Sequence, residues 1–156
     1  MRRLRHGLWA LGPDVEPFVV APYLTAPYPA YISFWSALAR HGMIEQIPRA
    51  ISVASTHQTR LVQTTVGTYS IHQLAPELFD GYSGSDQTGY VAVAEKALFD
   101  TVYLRSARGG GVFLPELSLP RSFSERRLQV WVSRIARPRL RTLVSRGLQD
   151  ALTSAS

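Results

Sequence analysis

Apolar residues recur along the chain at two periods, and the switches between them mark its elements. In residues 33–42, Ser-Phe-Trp-Ser-Ala-Leu-Ala-Arg-His-Gly, the side chains of Phe34, Ala37, Leu38 and His41 fall three or four apart, the spacing of one helix face. Ser33 is placed to accept a hydrogen bond from a free amide of the first turn, and Gly42 supplies the positive-φ stop. A second helix is predicted over 94–106, and one over 14–24 is interrupted at Pro22. From Ser122 onward the pattern is entirely helical. Leu128, Trp131, Val132 and Ile135 make one stripe; Leu140, Leu143, Val144, Leu148 and Leu152 make another, with Pro138 suited to the first turn of its helix.

Elsewhere the apolar positions alternate or run in short blocks. Residues 6–11, 50–54 and 90–93 read as short strands. The segments 60–65 and 68–74 are rich in β-branched and aromatic residues, and Val66-Gly67 between them predicts a hairpin. Residues 26–33 hold two prolines and read as an extended loop; 76–89 read as a glycine- and serine-rich loop, and Gly109–Gly111 as a hinge. The fold class predicted is α+β: a small, mainly antiparallel sheet flanked by helices, with a basic C-terminal helical pair.

A chain of 156 residues, 46% hydrophobic and 18% charged, suits one domain with a sizeable core. No apolar run approaches the roughly 18 residues of a membrane span. The basic start is broken by Gly12-Pro13-Asp14, so it does not read as a signal peptide. There are no cysteines, which excludes disulfides and thiolate metal sites, and a cytoplasmic location is expected. Charge changes the picture most. From Arg121 onward eight arginines face Glu125 and Asp150, 8 − 2 = +6, whereas the first 120 residues hold nine basic and nine acidic groups and sum to zero. Arginine accounts for 16 of the 17 basic residues, a preference that suits forked contacts to phosphate or carboxylate. The charge points to an anionic partner, either nucleic acid or an acidic protein face.

Two groups of residues invite a chemical reading. Glu95, Lys96 and Asp100 share the helix at 94–106. At about 100° per residue, Lys96 and Asp100 lie about 40° apart and can pair, for a few tenths of a kcal/mol when exposed. Glu95 projects between Phe99 and Val102 on a face expected to be buried, where backbone amides or an arginine must satisfy it. The three are therefore expected to anchor the helix to the sheet. A metal-dependent nuclease is the alternative, but it needs two or more converging carboxylates, and Asp100 points away from Glu95. The four histidines show no metal-ligand spacing, Ser52, Ser55 and Ser70 lack a nucleophile elbow, and Gly109–Gly111 is no phosphate loop. The expectation is a chain that is not an enzyme and holds no metal or cofactor. The second group is basic. Arg127, Arg134 and Arg141 are seven apart, as are Arg139 and Arg146, with Arg126 and Arg137 nearby and Arg2, Arg3 and Arg5 at the N-terminus. If the C-terminal helices pack by their apolar stripes, these arginines form a broad outward surface. Arg2, Arg3, Arg5, Arg126, Arg127, Arg134, Arg137, Arg139 and Arg141 are the candidate contacts for nucleic acid or a protein partner; phosphate contacts would give affinity and salt dependence without sequence choice.

The order RHGLWAL (5–11), YISFWSALARHG (31–42), IPRAISVAST (47–56), TTVGTYSIHQL (64–74), ELFDGY (77–82) and VAVAEKALFDTVYLR (91–105) resembles the AbiE-type antitoxins, the AbiEi family. The resemblance covers roughly residues 3–120, and the spacing of Y-I-S-x-x-S-A-L-x-x-H-G to A-E-K-A-L-x-D-x-x-Y-L is its most specific part. It implies the antitoxin half of a bacterial toxin–antitoxin pair linked to abortive phage infection. Such a protein carries a winged helix-turn-helix that represses its operon, followed by a domain that counters a nucleotidyltransferase-like toxin. On that reading residues 1–12 are the remnant of the wing, 13–120 the α+β antitoxin domain, and 121–156 basic helices packed on the same domain. The helices of the winged domain would lie upstream of Met1, so operator binding depends on whether that function is retained. Ala94 stands where the family often has proline. A stand-alone interaction module derived from the family is the further alternative.

Overall fold

A computed structural model of the chain describes residues 2–5, 8–10, 16–111, 114 and 116–155. Strands β1 (Arg2–Arg5) and β2 (Leu8–Ala10) form a separate antiparallel ribbon. Helix α1 (Pro17–Thr25) leads into β3 (Ala30–Ile32), α2 (Phe34–Arg40) and β4 (Ile51–Ser55). The hairpin β5 (Arg60–Thr64) and β6 (Gly67–Gln73) follows, then a single 3-10 turn at Pro76–Leu78 and a second hairpin of β7 (Tyr82–Ser85) and β8 (Gly89–Ala92). Helices α3 (Ala94–Ala107), α4 (Glu125–Ser133) and α5 (Pro138–Ser154) complete it.

The main sheet has the order β5-β6-β4-β3-β8-β7. Pairs β5/β6, β4/β3 and β8/β7 are antiparallel, and β6/β4 and β3/β8 are parallel. The fold is α+β with a mostly antiparallel sheet, as the apolar pattern predicted. Residues 26–33 differ from the reading as a loop: β3 lies at the centre of the sheet, starting just after Pro29, where the ladder no longer loses donors to proline. All three of its residues are buried, so it shows no alternation in sequence. The presumed loop 76–89 likewise contains β7, an edge strand of Tyr-Ser-Gly-Ser with no apolar signature.

Helices cover both faces. On one, Val20, Ala21 and Leu24 of α1 pack against Ile32, Val53, Tyr69 and Ile71. On the other, Tyr31, Ala54 and Ala92 meet α2 and α3, and α4 and α5 pack outside α3 as a third layer. Each large apolar side chain buried this way contributes about 1.5–3 kcal/mol of transfer free energy. Helices α3 and α5 cross at Gly147, where a Cβ would lie 2.7 Å from Val102 Cγ1. The α5 stripe is Leu140, Val144, Leu148 and Ala151; Leu143, expected inside, is 39% exposed, because the contact with α3 follows the i, i+4, i+8 row rather than the wider stripe.

Ser33 corrects another local reading. It stands at the N-cap of α2 but its hydroxyl caps no amide; it donates instead to Asp100 Oδ2 at 2.6 Å. Phe34 opens the helix at a φ of 55°, a backbone conformation rare for a bulky side chain, and is fixed there by complete burial. Gly42, at a φ of 71°, ends the helix as predicted.

Candidate functional site

The helix α3 places Glu95, Lys96 and Asp100 in two different environments. Lys96, the only lysine of the chain, and Asp100 are each 0% exposed. Lys96 Nζ donates to Asp100 Oδ1 at 2.6 Å, to the Leu78 carbonyl at 2.6 Å and to Tyr31 Oη at 2.9 Å. Asp100 Oδ2 accepts from Tyr31 at 2.8 Å and Ser33 at 2.6 Å. The rings of Tyr31, Phe99 and Trp131 surround the ammonium, with centroids 5.5, 5.4 and 5.7 Å away. Burial raises the Asp100 carboxyl above its ordinary value, against the charge of Lys96 and the bonds from Lys96, Ser33 and Tyr31. Burial, then the Asp100 charge, pushes the Tyr31 phenol upward. The i,i+4 pair is thus a sealed part of the core and not the exposed pair that helical spacing suggested. The physical reason is that the start of α3 is covered on every side, by the sheet, the 3-10 turn and α4.

Glu95 is 4% exposed and holds no common site with Asp100. Its Oε2 accepts from the Ser124 amide at 2.9 Å and its Oε1 lies 3.5 Å from Arg127. A backbone amide and an arginine are the partners expected for it, but they belong to the approach to α4, so Glu95 ties α3 to α4 rather than to the sheet. Asp80 makes a matching tie, accepting from Trp131 Nε1 at 2.6 Å and Arg134 at 2.5 Å. Between these two carboxylates Gly81, at a φ of 76°, lets the chain pass so close that a Cβ would sit 2.7 Å from Trp131 and 2.9 Å from Lys96. Sequence reasoning missed Asp80; its signal was an aspartate-glycine pair that starts two residues after a proline-led turn. Among the described residues no cluster of three or more His, Asp or Glu is arranged to hold a metal ion.

The arginines divide. Arg127 and Arg134 face Glu95 and Asp80, and Arg141 donates to the Ile135 and Ala136 carbonyls in the link between α4 and α5. Arg127 and Arg134 are paired yet remain exposed, and the row spans two helices, with Arg127 on α4, Arg134 at its C-cap and Arg141, half-buried, on α5. Arg126, Arg137 and Arg139 are exposed and have no acceptor among the described residues, and Arg121 and Arg146 join them. Arg2, Arg3 and Arg5 occupy β1, and their side chains lie outside the described residues, as do His6 and Gly12 of the proposed wing remnant.

Two other arrangements invite chemistry. Arg40, His41, Thr88, Glu95, Ser122 and Arg127 line a surface cleft of about 540 Å³. His41 is held there by a 2.7 Å bond between Nε2 and the Ala92 carbonyl, and Arg40 lies 3.8 Å from Glu16. On β6, Ser70 Oγ and His72 Nε2 are 2.9 Å apart, while Arg108 donates to His72 Nδ1 at 3.3 Å. Burial and then Arg108 push the His72 pKa down to about 4. A neutral ring accepting at Nδ1 carries its proton on Nε2 and donates to Ser70, the reverse of what a general base for serine requires.

No family model, no curated protein and no solved structure matches the chain. No helix among the described residues is long and apolar enough to cross a membrane.

Proposed function

We propose that the chain acts by binding, as the antitoxin of an AbiE-type toxin–antitoxin pair that counters a nucleotidyltransferase-like toxin. The ordered sequence series supports the family reading. The observation that carries the binding reading is the set of Arg121, Arg126, Arg137, Arg139 and Arg146, five exposed guanidinium groups without acceptors among the described residues. Such a surface attracts an anionic partner and speeds its encounter. The sealed Lys96–Asp100 pair and the separately anchored Glu95 favour scaffolding over nuclease chemistry for α3.

Co-expression with the product of the adjacent gene tests the reading. The chain is expected to restore growth in cells carrying a toxic neighbour, and a variant with the five arginines changed to alanine is expected to fold and to lose the rescue. No rescue by the unaltered chain removes the antitoxin reading; full rescue by the variant removes the arginine surface from it. Repression of its own operon is tested separately, by promoter affinity at several salt concentrations.

A further inference from the structure

The cleft of about 540 Å³ is built from four parts of the chain: the end of α2, the β7–β8 hairpin, the first residues of α3 and the approach to α4. That volume lies in the range of small-molecule sites, roughly 300–1,000 Å³. Two guanidinium groups line it from separate elements. Arg40 stacks over the Phe18 ring, 4.6 Å from its centroid, which restricts where the group can go. Its contact with Glu16, at 3.8 Å, joins two half-exposed side chains and ties up little of it. Arg127 lies 3.5 Å from Glu95 and is still 61% exposed, so most of its five N–H donors stay open. Neither guanidinium has another acceptor among the described residues. Glu95 also lines the cleft, but it is buried, and the Ser124 amide and Arg127 engage its oxygens. Arg40, Arg127 and Glu95 sum to 2 − 1 = +1, and the negative member is the one withdrawn from the surface. Three more polar groups of the lining are uncommitted. His41 Nε2 is engaged by the Ala92 carbonyl, which leaves Nδ1 without a partner among the described residues, and the hydroxyls of Ser83 and Ser122 have none either.

We propose that this cleft binds a small phosphate monoester, with the phosphoryl group held by Arg40 and Arg127 and the apolar body of the ligand against Val91, Val93 and Pro120. A guanidinium presents paired N–H groups that match two phosphate oxygens, and two such forks favour a dianion over a single carboxylate. The hydroxyls of Ser83 and Ser122 can donate to the remaining oxygens. A phosphate also gains more from Arg40 than Glu16 does, since the existing pair is long and open to solvent. Arg121, Arg126, Arg137, Arg139 and Arg146 do not line the cleft, so the inference stands independently of the antitoxin reading.

Phenyl phosphate, a monoester with an apolar ring, is titrated into the full chain and followed by amide ¹H–¹⁵N NMR. Ionic strength is held fixed, and the pH is about 7.5, where a monoester is close to dianionic. One saturable site with a Kd of about 1 mM or tighter is expected, with shift changes centred on the amides of Gly84, Gly89, Val91 and Ala94. Arg40→Ala and Arg127→Ala should each weaken binding about ten-fold, the loss of a charge-assisted hydrogen bond. Arg126→Ala removes the same charge one residue outside the lining and should leave the Kd within about two-fold. Benzoate and inorganic phosphate should each bind about ten-fold more weakly than phenyl phosphate. No saturation by about 10 mM, shift changes centred elsewhere, or an equal loss in Arg126→Ala overturns the site. Benzoate binding as tightly overturns the assignment to phosphate, and inorganic phosphate binding as tightly overturns the apolar contact. Should Arg127→Ala fail to fold, Arg40→Ala against Arg126→Ala decides the matter.

Discussion

Replacing Lys96 by methionine tests whether the α3 ion pair belongs to the core. An exposed i,i+4 pair is worth about 0.2–0.5 kcal/mol. A buried one behaves differently: removing one partner leaves an uncompensated charge and costs about 3–5 kcal/mol. Both side chains here are 0% exposed, which selects the larger figure. The lower end applies to Lys96→Met, because Asp100 keeps the donors Tyr31 and Ser33 and, with a carboxyl already raised by burial, can take up a proton. The expectation is a loss of about 3 kcal/mol, or about 1.5 M in the urea midpoint for a slope of about 2 kcal/mol/M. Asp100→Asn should cost as much or more, since Lys96 then loses its only charged partner. The double variant should be less destabilised than the sum of the two by about 2 kcal/mol or more, as the neutral pair strands no charge. Added salt should leave the coupling unchanged, because solvent ions do not reach the pair. Urea unfolding followed by circular dichroism measures all four proteins. Single variants within about 0.5 kcal/mol of the parent, or strict additivity, would refute the burial argument.

Gly81→Ala should cost about 3 kcal/mol or more, combining a φ of 76° with approaches of 2.7 and 2.9 Å to Trp131 and Lys96; a thermal midpoint near that of the parent would show that the segment shifts freely. Glu95→Ala should lose about 1–3 kcal/mol by stranding the Ser124 amide, whereas Arg127→Ala, at a 3.5 Å exposed contact, should lose less than about 1 kcal/mol; equal losses measured by urea unfolding would contradict the assignment of the anchor to the amide. His72 gives a pH dependence. Its folded pKa of about 4 lies below the ordinary 6.5, so the unfolded chain binds the proton first and stability present above about pH 6.5 declines as the pH falls toward 4. Discounted for partial solvent screening, the loss should be about 1–2 kcal/mol, and His72→Asn should flatten that part of the stability–pH curve.

The elements with a one-sided face were legible in sequence. α2, the β5–β6 hairpin and the helices after residue 122 each bury one face and expose another, so their periodicity survives. β3 was hidden because both of its faces are buried, and β7 because an edge strand of serine and glycine has no apolar face to show. Within the candidate site, the separation of Glu95 from Lys96 and Asp100 followed from helical geometry alone, as did the kind of partner that Glu95 needs. The burial of the ion pair did not. Helical angles place Lys96 and Asp100 together but say nothing of what covers them, and the cover comes from α4 and the 78–81 segment, far away in the chain. The pairing of Arg127 and Arg134 was hidden for the same reason, since it depends on where Glu95 and Asp80 lie in space.

That division of the arginines has a consequence for how strongly the C-terminal segment can engage a polyanion. Counted from sequence, eight arginines after residue 120 would neutralise up to eight phosphates and give a salt slope of about −7 on duplex DNA. Arg127 and Arg134 are neutralised by Glu95 and Asp80, and Arg141 is turned onto the Ile135 and Ala136 carbonyls between α4 and α5. Five remain, 8 − 3 = 5, and the slope falls to about −4 to −5. A fitted slope near −7 would mean that Arg127, Arg134 and Arg141 leave their protein partners for phosphate on binding.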